Sequence, residues 1–210
     1  MKQFSGLSAV LLTLALTLSA TLVAVTTAPS TAATGKMRLC RMSDWDNGGS
    51  KTFRQITLKH SAFQMTHAER RRIPANVGFS REVTMTKQTV VHASIEATAQ
   101  VKADAGAFFA KASVEAGLKV AGGGSSTTGS SITETFTVSE AKRDRLFVFY
   151  TGVDTFRFKV HKRVCAHGQH DYFGTLRSYN NIKESGAVLC PHTRYKKGSI
   201  KYQVTFKAGC

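Results

Sequence analysis

Acidic residues are scarce in this chain: 13 Asp and Glu stand against 29 Lys and Arg, a formal net charge of +16 over 210 residues. That imbalance argues against a cationic partner. It favours anionic ones such as phospholipid head groups, teichoic acids, nucleic acid or acidic polysaccharide, without choosing among them. Catalytic signatures are missing as well. There is no Gly-x-Ser-x-Gly elbow, phosphate-binding loop or dinucleotide fingerprint, which removes the sequence-level carriers of acyl transfer and nucleotide chemistry. Of the histidines, His60, His67, His92, His161 and His192 are dispersed, and only His167-Gly168-Gln169-His170-Asp171 is clustered. Two imidazoles three residues apart leave a transition-metal site open. No His-Glu-x-x-His run accompanies them, and the segment reads better as a polar loop beside a disulfide. Asp44, Asp46 and Asn47 lack the rest of a calcium loop and read as an Asx turn. The expectation is a non-enzyme with no catalytic residue, metal, cofactor or small-molecule substrate.

A second long apolar run is also lacking. The one present, Leu7 to Val25, follows Lys2 and precedes Thr26-Thr27-Ala28-Pro29-Ser30-Thr31-Ala32-Ala33, the pattern of a secretory signal cleaved near Ala32 or Ala33. An uncleaved anchor is the competing reading, because the run is nearly long enough to span a bilayer. Removing residues 1–33 takes away one Lys and no acid, so about +15 of the formal +16 remains on roughly 177 residues. That length suits a single domain over 34–210, and the expected location is extracellular. Cysteines are few, and Cys40, Cys165, Cys190 and Cys210 all lie beyond the leader. An even count in an exported chain implies two structural disulfides. Three pairings are possible; the favoured one joins Cys165 to Cys190 and Cys40 to Cys210. The spacing does not suit a zinc site of close-paired cysteines.

What is abundant is alternation. From Val83 to Ala107 nearly every odd position is small or apolar and the even ones are mostly polar, the period of a strand with one wet face. Parity slips at Phe108-Phe109, as a β-bulge would make it, and the apolar set continues through Ala110, Ala112, Val114, Ala116, Leu118 and Val120. A Gly/Ser/Thr tip at 122–131 follows, and alternation resumes at Ile132, Phe136 and Val138. The outline is a long amphipathic hairpin over 83–138. For 106–120 a helix is an equal alternative, because Ala, Lys and Glu are strong helix formers.

Elsewhere, Met37 to Met42 reads as a first strand and Phe53, Ile56 and Leu58 as another. Ala62 to Arg72 suggests a short helix stopped by Pro74. Leu146 to Tyr150 is a buried β run; Phe156, Phe158 and Val160 alternate with Arg157, Lys159 and His161, and a short strand surrounds Tyr172 to Leu176. Ile200, Tyr202, Val204 and Phe206 alternate with Lys201, Gln203, Thr205 and Lys207 as a last strand. The fold class is mainly β: an elongated antiparallel sheet with a long amphipathic hairpin and disulfide staples.

An exported, strand-rich chain with a Ser/Thr-flecked alternating arm, a Gly/Ser/Thr tip and a return arm resembles the aerolysin and epsilon-toxin type of β-pore-forming protein. The block from Thr84 to Gly152 is similar to small secreted actinobacterial proteins. The likeness spans about Arg81 to Cys190 and is one of pattern. It implies a monomer that binds a surface, oligomerises and converts a folded-back hairpin into part of a transmembrane barrel. Under that resemblance Phe108, Phe109, Val114, Leu118, Val120, Ile132, Phe136 and Val138 form the membrane-inserting face, on arms long enough to supply ~9 to 11 alternating residues each. The rival class is a binding protein that forms no pore and holds an anionic cell-envelope polymer. Its cations are Arg70, Arg71 and Arg72 beside Arg157, Lys159, Lys201 and Lys207. The expected partners are therefore an anionic lipid membrane or cell-envelope polymer, with homo-oligomers on the pore reading and no specific nucleic acid.

Overall fold

The computed structural model describes residues 36–46, 48–127 and 131–210. Residues 1–35, which include the expected leader, Asn47 and residues 128–130 of the glycine-rich tip lie outside them. In chain order the elements are a 3-10 turn at Met42–Asp44, β1 (Lys51–Ile73), β2 (Phe79–Met85), β3 (Val91–His92), β4 (Ser94–Ala97), α1 (Ala99–Lys102) and α2 (Ala105–Ala116). There follow β5 (Ser126–Thr127), β6 (Ile132–Val138), β7 (Arg145–Cys165), β8 (Gln169–Tyr179), β9 (Glu184–Leu189), a 3-10 turn at His192–Arg194 and α3 (Ile200–Lys207). The protein is mainly β and built on a long antiparallel sheet.

β7 is the central strand. Phe147 to Val153 are all buried, so this half of β7 needs cover on both faces, and its backbone needs partners on both edges. β1 takes one edge along the whole of β7, from Ile73 opposite Arg145 to Lys51 opposite Cys165. The other edge is shared end to end: β8 pairs with Thr155–Cys165 and β9 with Phe147–Gly152. β4 extends the sheet beyond β8. At ~3.3 Å per residue, β1 runs roughly 70 Å. The helix expected over Ala62 to Arg72 is instead the second half of this strand. Its weak helical pattern yields to the backbone hydrogen bonds that the β-branched and aromatic run of β7 demands.

β1 keeps its partner by two irregularities, between Leu58 and His60 and between Met65 and His67. Each inserts one residue and turns the following side chains to the other face. Between them Phe63 lies over Gly152, where an added Cβ would sit 2.3 Å from the ring and 2.6 Å from the carbonyl oxygen of Gln64. Only glycine fits beneath that ring.

Three cores flank the sheet. In the first half of β7, Phe147 and Phe149 pack against Ile73 and the inner face of the β2/β6 ribbon, Val83, Met85, Phe136 and Val138. On the opposite face Val148 and Tyr150 pack with Phe63, Val188 and Val204 of α3. In the second half only one face is covered: Phe156, Phe158, Val160, Leu176 and Tyr179 lie under Val101, Phe108, Phe109 and Ala112 of the helical segment.

The hairpin expected over 83–138 exists at its ends. β2 pairs with β6, Val83 opposite Glu134, and presents an outer face on which Ser80 meets Thr137 and Thr84 meets Thr133 at 3.0 Å. Its middle is not a strand pair. β3 and β4 are short, and 105–116 is the helix α2. The parity slip at Phe108-Phe109 is no bulge. Adjacent residues in a strand face opposite ways, whereas 100° of helical rotation lets both phenylalanines face the core with Ala112. Gly117, at φ 66°, and the Leu118 N–H bonded to Ser113 O close the last turn. Asp104 fastens the junction of α1 and α2 to the sheet through Arg54 at 3.1 Å and Lys162 at 2.6 Å, and this pairing depresses its pKa.

Two other expected strands are corrected. Met37 to Met42 forms no strand; its neighbour Asp44 is buried and accepts from Arg38 and from the Arg41 N–H. Ile200 to Phe206 is the helix α3, started by Ser199, whose Oγ accepts from the Tyr202 N–H. The disulfides are Cys40–Cys165 and Cys190–Cys210, a correction of the favoured pairing. Cys190 bonds through its N–H to Leu146 at the start of β7, and Cys165 ends that strand. About 20 extended residues separate them, far beyond disulfide reach.

Gly152→Val is expected to destabilise the protein by about 1–3 kcal/mol or more through overpacking against Phe63. Thermal unfolding checks this; an unchanged midpoint would show that the Phe63 ring can move aside.

Candidate anionic-ligand interface

Where α1 and α2 cover only one face of the sheet, the other face meets solvent, and alternation decides what it carries. β7 places Arg157, Lys159, His161 and Arg163 there. β8 sets Arg177, Thr175, Phe173 and Asp171 directly opposite them, in that order. β1 adds Gln55 opposite His161 and Thr57 opposite Lys159, with Lys59 at the first irregularity. Directly opposed residues share a face, so this is one continuous basic and aromatic surface.

Its outer end is locked. Asp171 accepts from Arg163 Nε at 2.8 Å, Gln169 Nε2 at 2.8 Å and His161 Nε2 at 2.6 Å. Arg163, nine-tenths buried, also donates to the carbonyls of Arg38 and Met37. The hydrogen bonds from Arg163, and then those from His161 and Gln169, hold the Asp171 carboxyl down at about 2. This carboxylate is therefore spent inside the protein. The Cys40–Cys165 bond fastens the same end.

The centre is open. A groove of about 430 Å³ is lined by Lys59, Arg157, Phe158, Lys159, Phe173, Gly174 and Thr175. Three of these are cationic and none is acidic. Phe173 is half exposed, its ring stacked on His161 at 4.4 Å, and Lys159 Nζ lies 5.3 Å from the ring centroid. The aromatic ring thus supports the cation above it. At the edge Glu96 lies 3.5 Å from Arg177, with both side chains more than half exposed, a contact worth little in water.

Of the expected anion-binding residues, Arg157 and Lys159 meet in this groove. Arg70, Arg71 and Arg72 lie opposite Val148, Phe147 and Leu146, roughly 30 Å along β7. Arg70 donates to the Gly209 carbonyl and, with Lys207, Lys87 and Glu69, lines a separate cavity of about 350 Å³. Lys201 is exposed on α3. The expected set is thus dispersed: Arg157 and Lys159 share the groove, Arg70 and Lys207 share the second cavity, and Arg71, opposite Phe147, lies on the other face of β1 from Arg70.

The expected membrane-inserting face is likewise divided. Phe108 and Phe109 are buried on the inner face of α2, Val114 and Leu118 are exposed, and Val120 is buried beside Asn180. Ile132, Phe136 and Val138 pack on the first half of β7. These eight side chains share no single surface, because the helix turns the first group away from the ribbon. His167 and His170 are exposed at the β7–β8 turn. Among the described residues no three His, Cys, Asp or Glu side chains converge as a metal site.

Lys59 and Phe173 are the groove residues that sequence reasoning missed. Phe173 carried a usable signal, since it shares parity with polar Asp171 and Thr175. Lys59 carried none, because its placement depends on an irregularity in β1. No protein-family model matches the chain, nor does any curated protein or solved structure. Among the described residues no helix is long and apolar enough to cross a membrane.

The Asp171 pKa is lowered below the ~3.9 of an unfolded aspartate, so its contribution is complete above pH ~4 and is lost as pH falls toward 2. Asp171→Asn is expected to weaken the protein at pH 6 and to flatten its loss of stability between pH 4 and 2. Urea unfolding across that range measures both; an unaltered pH slope would remove Asp171 from the acid response.

Proposed function

We propose that this is an exported, non-catalytic binding protein that holds an anionic cell-envelope polymer on the open sheet face. The observation that carries the reading is the groove in which Lys59, Arg157 and Lys159 converge with no carboxylate among its lining residues. A polymer bearing a charge every few ångströms places successive anionic groups along such a face and releases counterions as it binds. The mechanism is electrostatic adhesion: Phe173 supports Lys159, and the Arg163–Asp171 lock keeps the outer end of the surface in place. Export is supported by the leader-like pattern of residues 1–33 and by two disulfides.

Polyphosphate is a suitable probe. The double variant Arg157→Ser/Lys159→Ser is expected to bind it at least tenfold more weakly and to reduce the salt slope by roughly two. Isothermal titration at several salt concentrations measures both. Equal affinity and slope for variant and parent would remove the groove from the function.

A second reading, membrane insertion of the kind that the aerolysin-type pattern implies, has one observation in its favour. Neither disulfide falls within 83–138, so packing, hydrogen bonds and ion pairs hold the β2/β6 ribbon and its helical segment to the sheet without a covalent cross-link. Insertion would require Phe108 and Phe109 to leave the core. On this reading dye is released from anionic liposomes, and the absence of release at every lipid composition overturns it.

A further inference from the structure

The last twenty residues form a unit that the groove does not use. Residues 191–210 contain Arg194, Lys196, Lys197, Lys201 and Lys207 and no Asp or Glu. The Cys190–Cys210 bond closes the segment on itself, with Cα atoms 5.4 Å apart. Its one helix, α3, buries Val204 against Phe63, Val148, Tyr150 and Val188, which fixes the direction in which the helix faces. Tyr202 and Phe206, two residues to either side of Val204, point about 160° to 200° away from it. Their rings stack at 5.8 Å and 7°, and His192 meets both edge-on at 5.5 Å. His192 is itself positioned by a contact of 3.1 Å from Nδ1 to the Cys210 carbonyl. The result is an ordered aromatic crest, with Phe206 59% exposed, on a segment whose charged side chains are all positive.

We propose that this disulfide-closed cap docks on the surface of an anionic lipid bilayer, with Phe206 at the boundary between head groups and acyl chains and the segment's exposed lysines reaching the head groups. Charge and shape argue together for this occupant. A soluble polyanion would be satisfied by the cations alone and gives an apolar ring nothing to enter. A bilayer interface takes both, since aromatic and apolar groups sit at the acyl boundary while Lys and Arg stems reach back to the phosphates. A proteinaceous apolar partner would use the ring and leave five cations without opposite charge. The docking inference goes beyond polymer binding by the sheet face and stands without it. It also requires no change of fold, so it differs from membrane insertion.

The test uses the full chain without its leader region and vesicles of phosphatidylglycerol with phosphatidylcholine, beside pure phosphatidylcholine. Sedimentation is expected to show binding only with the anionic lipid. Phe206→Ala and, separately, Lys196→Ser/Lys197→Ser are each expected to lower that binding about tenfold. Polyphosphate affinity is expected to stay unchanged in Phe206→Ala. Phe206 is largely exposed, so these variants keep the fold, and far-UV circular dichroism checks that they do. Phe206→Trp gives an independent readout: its added fluorescence is expected to shift to the blue and to be quenched by brominated acyl chains. Undiminished vesicle binding in the cap variants overturns the proposal, as does binding lost only in Arg157→Ser/Lys159→Ser. Failure of all forms to bind anionic vesicles also overturns it, while leaving polymer binding by the groove to its own titration.

Discussion

The pairing of β1 with β7 along the whole of β7 is the constraint on which the rest depends. Leu146 to Tyr150 cannot be left at an edge or half covered, because its side chains are apolar on both faces. β1 therefore stays extended through a segment of mixed local preference and accommodates the mismatch with two irregularities. β8 and β9 share the opposite edge. The helix α3 and the β2/β6 ribbon then bury the two faces of the first half, each with its own hydrophobic cluster.

The candidate groove arises where that demand relaxes. Beyond Thr155 the apolar residues of β7 fall on one face only, so a single layer of helix suffices and the other face is left to charge. Opposed strands then concentrate cations that are spread along the chain. Asp171 removes Arg163 from the available set by pairing with it in a nearly buried site, while Arg157, Lys159 and Lys59 face water. The second cationic region arises differently. It is a terminal segment free of acid, given direction by one buried valine and one disulfide. The two regions adjoin different halves of β7 and differ in kind, one a groove of cations and the other an aromatic crest.

Much of this was legible locally. Val83, Met85, Phe136 and Val138 alternate as strands and are strands; Phe156, Phe158 and Val160 announce a half-buried strand with a basic reverse face, and it is there. The helix at 105–116 was legible only as an alternative. Alanine at alternate positions fits one face of a strand, yet alanine is also small and the strongest helix former and is tolerated on any face of a helix, so the adjacent phenylalanines decide only once a core exists to receive both. In Ile200 to Phe206 the alternation covers seven residues, too few to outweigh a serine cap and a single buried valine. Cysteine spacing carries no information about pairing, because the partner is set by where each end of a 21-residue strand arrives.

The sequence by itself determined the β-rich class, the cationic surface, the number of disulfides and the faces of the strands, all of which follow from composition and short-range periodicity. Tertiary structure decided the register of β1, the helical identity of the segment between β2 and β6, the disulfide partners and the meeting of Lys59, Arg157, Lys159 and Phe173. Each of these depends on contacts between residues far apart in the chain. Local preference there is close to balanced, so the burial and hydrogen bonding available in the assembled sheet tip it.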